Sequence, residues 1–360
     1  MRYQLSPAFS VSIVDRKLLV GFGSFQCVVA DEPLQKGLLA LCEAFLEPRT
    51  FAEALQHVQE ADFDRTGVGN VEFQAGYALL KSRGFLIAQG EYDATNRYSR
   101  PALYYRLLGR QPAEVQARLR ARRVVVLGCG GVGNIVAAYL ATAGVGELVL
   151  VDPDDLELSN LTRQIMYRER DIGEKKVDLL EEAIRERNAA TVIHKIPKAM
   201  ASLEDLRALP DFDLLILSAD QPLELIYWVN RLCAERRAPF INVGYIYDRA
   251  LWGPLVIPGE TGCFECRTLI RADIQEDDKL IARLHRLNAH FQPPSTGPIN
   301  SLAAGGALTD SIKFLIGCEK IGSKNNRVLL NTSDMSIEKI DASFNQDCAV
   351  CGHLIRQTLP

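Results

Sequence analysis

Apolar positions fall in short alternating runs at the start of the chain: Phe9, Val11 and Ile13, then Leu18, Val20 and Phe22, then Cys27, Val28 and Val29. Asp15-Arg16-Lys17 and Gly23-Ser24 separate them, so residues 8–30 predict two or three short antiparallel strands. The period then changes. Leu34, Leu38, Cys42 and Phe45 form one helical stripe. Thr50-Phe-Ala-Glu53 has capping-box spacing and opens a second predicted helix. A third runs from about Val71 to Ser82 and stops at Gly84, after which Phe85–Ala88 reads as a strand. Strands, three helices and a strand predict a small winged-helix-like domain over residues 1–95.

From Arg123 onward strands and helices alternate. Val124–Leu127, Leu148–Val151, Leu214–Leu217 and Phe240–Val243 read as buried strands. Ile135–Ala143, Lys175–Arg187 and Ile226–Glu235 read as helices. This order predicts a Rossmann-like α/β domain over residues 96–360, with a mainly parallel sheet covered on both faces. Val124–Gly146 is uncharged and long enough to span a bilayer. It nevertheless holds six glycines and reads as strand, turn, helix, turn, so a buried βαβ start is expected there and no membrane span.

Charge changes the reading of the first domain. The whole chain carries 41 basic and 45 acidic residues, a net −4, which argues against a whole-chain nucleic-acid binder. A winged helix invites a DNA reading, but residues 1–96 hold 8 basic and 12 acidic side chains. DNA binding needs a basic face. A peptide ligand added as an extra strand to an exposed sheet edge fits better. Residues 97–123 differ, with eight arginines against the single acid Glu114. They read either as a solvated linker and helix or as a source of cations for a polyphosphate. No secretory pattern follows Met1, so the nine cysteines are expected to be cytoplasmic thiols or metal ligands.

Gly128-Cys-Gly-Gly-Val-Gly133 sits between a predicted strand and helix. Gly128, Gly130, Gly131 and Gly133 permit a tight turn and a close approach of backbone to phosphates at a helix N-terminus. Asp152 ends the next strand, where an acid hydrogen-bonds ribose hydroxyls. This pair suits NAD as well as ATP. Asn160, Arg163 and Gln164 follow, Lys176 opens the next helix, and Asp220 lies just beyond Leu214–Leu217. An Arg and a Lys converging on a nucleotide suit a triphosphate, and Asp220 offers oxygens to Mg²⁺. Cys263-Phe-Glu-Cys266 and Cys348-Ala-Val-Cys351 offer four thiolates, a set suited to a tetrahedral structural zinc. Cys42, Cys233 and Cys318 are expected in helices, Cys27 in a strand, and Cys129 as a packing residue of the glycine loop.

Over residues 96–352 the chain resembles the ThiF/MoeB/HesA family, bacterial relatives of ubiquitin-activating enzymes. The resemblance rests on Arg97-Tyr-Ser-Arg100, the glycine loop, Asp152, the Asn160–Gln164 motif, Lys176, Asp220 and the two cysteine pairs. It implies adenylation of a carboxylate with Mg-ATP and release of pyrophosphate. It implies ribose binding by Asp152, and phosphate and transition-state handling by Asn160, Arg163, Gln164 and Lys176. It further implies Mg²⁺ at Asp220 and a homodimer in which Arg100 reaches the ATP of the other subunit. Thioester-forming relatives place a cysteine after the first zinc pair, whereas residues 267–298 contain none. Direct attack on the activated group is therefore expected. His285 and His290, near Arg283 and Arg286 in that segment, read as substrate or proton-transfer residues, or as solvated helix residues.

Asn96–Arg100, Glu147–Gln164, Ser218–Asn230, Asn242–Tyr245, Gly253–Cys266 and the first domain resemble the subgroup that modifies ribosomally made precursor peptides in antibiotic biosynthesis. That resemblance implies activation of a terminal Asn or a Glu side chain, ending in AMP attachment or in cyclisation with dehydration. Three rivals stay open: a sulfur-carrier protein adenylyltransferase, an NAD-dependent oxidoreductase, and a non-catalytic peptide-binding module.

Overall fold

The computed structural model describes residues 1–61, 68–267, 283, 286, 287 and 293–355. The chain packs as two compact units, Met1–Ala117 and Arg118–Pro360.

In the first unit β2 (Val11–Val14), β3 (Lys17–Val20) and β4 (Cys27–Val29) form an antiparallel sheet in that order. Leu18 and Val20 of β3 are buried, while all of β2 is exposed at the edge. Three helices follow: α1 (Glu32–Ala44), α2 (Phe51–Glu60) and α3 (Asn70–Ser82). Asp31 caps α1 by accepting from the Leu34 N–H at 2.9 Å. The predicted capping box of α2 is present, with Glu53 N–H on Thr50 Oγ1 at 3.2 Å and Thr50 N–H on Glu53 at 2.7 Å. Leu38, Leu41 and Phe45 meet Leu80 and Phe85 in the core between these elements. β5 (Leu86–Ala88) pairs with β1 (Tyr3–Leu5), a strand of three residues too short to leave a period in the sequence.

The arginine-rich stretch is more ordered than a linker. It forms α4 (Ser99–Leu107) and α5 (Pro112–Arg120). Three of its arginines are paired within the fold: Arg106 with Glu91, Arg122 with Asp213 and Arg123 with Glu147, at 2.6–2.7 Å. These three act as structural cations.

The second unit is an eight-stranded sheet. Its parallel half is β10 (Phe240–Ile246), β9 (Leu214–Leu217), β6 (Arg123–Leu127), β7 (Glu147–Val151) and β8 (Val192–Ile196), in that spatial order. The strands β11 (Arg249–Val256), β12 (Asn326–Asn331) and β13 (Ile337–Asp341) extend it antiparallel from β10. The sheet is thus mixed, and its antiparallel half was not foreseen. Val124, Val125, Val126, Leu214, Leu215 and Ile216 are fully buried, as central strands covered on both faces must be. Helices α6 (Gly133–Ala143), α7 (Lys176–Arg187) and α10 (Gly297–Leu315) pack together, and α8 (Leu203–Arg207) packs with α9 (Leu225–Arg236). The uncharged run from Val124 is β6, the glycine loop and α6. Among the described residues no helix is long and apolar enough to cross a membrane. One detail is corrected: Cys318 lies beyond the end of α10, after the Ile316-Gly317 turn, and not within a helix.

Candidate active site and metal centre

Three adjacent parallel strands place the site. The glycine loop follows β6, Asp152 follows β7, and Ser218–Asp220 follow β9, all at the carboxyl edge. Ligands bind at that edge in open α/β sheets. Gly128 has φ +97°, and a Cβ on it would stand 2.6 Å from the Ala219 backbone nitrogen. A Cβ on Gly133 would collide with the Gly128 carbonyl oxygen. Only glycine serves at either position.

The loop is tied down through its carbonyl groups. Asn134, fully buried, donates to the oxygens of Gly130 and Gly131 at 2.6 and 2.9 Å. Ser218 Oγ donates to the Gly128 oxygen at 2.7 Å, and the Tyr167 hydroxyl to the Cys129 oxygen at 2.7 Å. No hydrogen bond among the described residues takes up the N–H of Gly130 or Gly131. Those groups, at the start of α6, are available to an anion.

Asp152 is buried and accepts from the N–H groups of Cys129 and Asp154 at 2.6 and 2.9 Å. Burial pushes its carboxyl above the usual carboxylate range, against the pull of those two N–H groups and of Lys176. Lys176 is the first residue of α7, buried, with Nζ 2.8 Å from Asp154. Asn160 is buried in a single 3₁₀ turn, Leu158–Thr162, and accepts from the Glu157 N–H at 3.2 Å. Arg163, half-buried, donates to the Ser159 oxygen at 3.0 Å. Gln164 is 3% exposed, yet its Oε1 has no hydrogen-bond partner. Its Nε2 lies 3.9 Å from where a Gly130 Cβ would be. An orphaned buried oxygen costs about 1–3 kcal/mol, so an incoming donor there is favoured. The unclaimed loop amides, two cationic side chains and a buried acid fit a nucleotide triphosphate.

The structure therefore brings Asp152, Arg163, Gln164 and Lys176 to the loop Gly128–Gly133, with Asn160 in the 3₁₀ turn that leads into Arg163. Asp220 is exposed on the adjoining loop, three residues past β9. Arg100 is an exposed residue at the start of α4, in the first unit. His285 and His290 lie outside the described residues. Sequence reasoning missed Asn134, Tyr167 and Ser218. Of these only Asn134 left a signal, as the lone polar residue opening an apolar helix.

The four cysteines converge. Their sulfurs all lie within 4.8 Å of one another, with Cys263–Cys348 at 3.5 Å, Cys263–Cys266 at 3.9 Å and Cys266–Cys351 at 3.2 Å. Tetrahedral zinc, with Zn–S near 2.3 Å, needs sulfurs about 3.8 Å apart. The Cys263 N–H points at the Cys266 sulfur at 3.3 Å, and Asn230 of α9 donates to the Cys263 sulfur at 3.5 Å. Such donors stabilise thiolates. The cluster fits zinc. The helical turn α11 (Gly352–Ile355) follows its last cysteine. Cys42, Cys129 and Cys233 are buried, and burial pushes each thiol up, to about 12 for Cys42. They are packing residues, since a nucleophile needs an accessible thiolate.

This fold and site define an α/β nucleotide-binding enzyme with a separate four-cysteine cluster. The model of the ThiF family matches residues 104–350, and the chain belongs to that family. It is an ATP-dependent enzyme of the adenylyltransferase type, which sets aside the hydride-transfer and non-catalytic readings. The sulfur carrier protein adenylyltransferase of Thermus thermophilus is 27% identical over 256 residues, covering 66% of this chain and 85% of the relative. The ThiS adenylyltransferase of Escherichia coli is 29% identical over 225 residues, covering 62% of this chain and 82% of the relative. Among solved structures, E. coli MccB with MccA-N7isoASN aligns at TM-score 0.89 and 32% identity, covering 98% of this chain and all of that one. E. coli MccB with ATP aligns at TM-score 0.87. PaaA shares the fold at TM-score 0.69 and 21% identity.

Proposed function

We propose that the protein modifies a ribosomally made precursor peptide in antibiotic biosynthesis, by adenylating a carboxylate or carboxamide with Mg-ATP. One observation carries this reading. MccB, whose solved complexes include N-formylated MccA, aligns along 98% of this chain, whereas the first-named sulfur-carrier enzyme covers 66%. The match therefore extends over the first unit, for which adenylation alone gives no use.

In this reading residues 1–95 recognise the peptide, which adds as a strand to the exposed edge of the β2-β3-β4 sheet. Residues 96–360 carry out the chemistry. Asp152 accepts hydrogen bonds from ribose hydroxyls. The N–H groups of Gly130 and Gly131 and the start of α6 hold phosphate oxygens. Asn160, Gln164, Arg163 and Lys176 surround the phosphates, the last exchanging Asp154 for a phosphate oxygen as the nucleotide enters. Asp220 holds Mg²⁺. These cations are placed before reaction, so they stabilise the charge that builds as the peptide group attacks the α-phosphate and pyrophosphate leaves. With no cysteine in 267–298, a nucleophile on the substrate attacks the activated carbonyl directly. Zinc at Cys263, Cys266, Cys348 and Cys351 is structural. The enzyme works as a cytoplasmic homodimer.

Mass spectrometry tests the reaction. A candidate peptide encoded beside the gene, incubated with protein and Mg-ATP, is expected to gain AMP or lose water. The relatives favour one rival, sulfur-carrier adenylation. ATP-dependent adenylation of a small folded protein ending in Gly-Gly, with no mass change in any such peptide, would favour that rival. The dimer is tested by mixing. Arg100→Ala and Asp220→Ala proteins, each inactive alone, are expected to recover part of the activity together, because one site of the mixed dimer is intact. No recovery would remove Arg100 from the partner's site.

A further inference from the structure

We infer that Asn300, in the first turn of α10, is a positioning residue that sets the phosphate loop, and that Gly131 is glycine because of it. Asn300 is fully buried, at 0% exposure. A Cβ on Gly131 would stand 2.6 Å from Asn300 Nδ2, closer than real Cβ contacts come, and a tight 3.0 Å from its Cγ. The backbone of Gly131 is not in the left-handed region, so its conformation does not demand glycine. The space beside Asn300 does.

The carboxamide is held in place. Its Nδ2 donates to Ser295 Oγ at 3.1 Å, from the segment leading into α10. Asn134 in turn donates to the Gly131 oxygen at 2.9 Å. Gly131 is thus gripped between two buried asparagines, one on α6 and one on α10. The start of α10 also braces the arginine segment: a Cβ on Gly297 would lie 3.4 Å from the Thr162 oxygen and 3.9 Å from Arg163 Cα. One helix start therefore positions both the loop that offers N–H groups and the segment that carries Arg163. An asparagine does this without charge, whereas an acid of the same shape would set a negative charge beside the phosphates.

The inference rests on ATP use and not on the identity of the peptide. Equilibrium ATP binding and steady-state KM and kcat are measured on four variants of the full chain. Gly131→Ala is expected to weaken kcat/KM for ATP by about 100-fold, the cost of a misplaced reacting group. Asn300→Ala is expected to weaken ATP binding about 10-fold through the loosened loop. Gly131→Ala combined with Asn300→Ala is expected to recover about 10-fold over Gly131→Ala, because the obstructing atoms are gone. Asn300→Asp, of the same shape, is expected to weaken ATP binding at least 10-fold, and more at low salt. A double variant no better than Gly131→Ala would overturn the inference, since the glycine would then serve the phosphate itself. So would wild-type ATP affinity in Asn300→Asp. Should Asn300→Ala not fold, as read by its melting curve, the Asn300→Asp measurement decides alone.

Discussion

The glycine loop is carried by one strand, one turn and one helix, with Asp152, Asn160, Arg163, Gln164 and Lys176 following within 43 residues of Gly133, whereas the cysteine cluster joins segments 85 residues apart. The loop sits at the carboxyl edge of the parallel half. Its geometry comes from backbone: carbonyls anchored by Asn134, Ser218 and Tyr167, and N–H groups left open. The cluster instead brings side chains together, and four thiols within 4.8 Å of one another repel once ionised. A metal resolves this conflict by binding all four as thiolates. The contrast teaches that the two regions answer to different perturbations. In the proposed reading one governs reaction rate and the other the integrity of the fold.

The largest expected effect is on rate. Arg163→Ala should lower kcat by about 10²–10³-fold, the usual cost of removing one preorganised charge from a transition state. Its melting temperature should stay near wild type, because among the described residues the Arg163 side chain makes a single internal hydrogen bond, to the Ser159 oxygen. An equal loss of stability would erase the division of roles. Steady-state kinetics beside thermal unfolding make the comparison.

Zinc should show the mirror image. Metal analysis is expected to find about one zinc per chain, the stoichiometry of a four-thiolate site. Cys266→Ser, or a strong chelator, should lower the melting temperature by about 10 °C, corresponding to a few kcal/mol in a domain of this size. Equilibrium ATP binding to protein still folded should change little. Metal-free protein that melts like wild type would sink the structural-zinc reading.

The smallest effect is a pH dependence. In the proposed reading Asp152 is ionised when it accepts from ribose hydroxyls, and burial raises its folded value above the unfolded one. The folded chain thus favours the acid form. Its contribution to stability is present at low pH and fades as pH rises through the folded value. ATP affinity runs the other way, falling as pH drops through that value and earlier than an ordinary aspartate would predict. Titrating ATP affinity should show this acid limb, and Asp152→Asn, weaker throughout, should flatten it. A limb unchanged in Asp152→Asn would assign it to another group.

Legibility followed how local each determinant is. The capping box at Thr50–Glu53 was readable because its two hydrogen bonds span three residues. The stripe of α1 was readable because one helix face repeats every three or four residues. By contrast α10 was hidden. It opens with Gly297-Pro298, carries Gly305-Gly306, and is apolar on several sides because it is buried between β11 and α6. Gly306 is required by the Trp252 ring, whose atoms would stand about 2.5 Å from a Cβ there. That contact joins residues 54 apart, so no window of sequence displays it. β11 and β12 were hidden for a similar reason, since Gly253-Pro254 interrupts one and the buried Arg327 interrupts the other.

The sequence by itself determined most elements of both units, the parallel strands with their glycine loop, and the acid that follows the next strand. These depend on period, on turn chemistry and on spacing within one strand–loop–helix unit. The tertiary structure alone decided the antiparallel half of the sheet, the closeness of the two cysteine pairs, and the clamp of Asn134 and Asn300 on Gly131. It also decided that Arg106, Arg122 and Arg123 are spent on Glu91, Asp213 and Glu147. Most of these contacts join segments distant in the chain, although Asn134 reaches Gly131 from three residues away. Their energy comes from excluded volume, charge pairing or shared sulfur ligands, which exist only once the chain has folded.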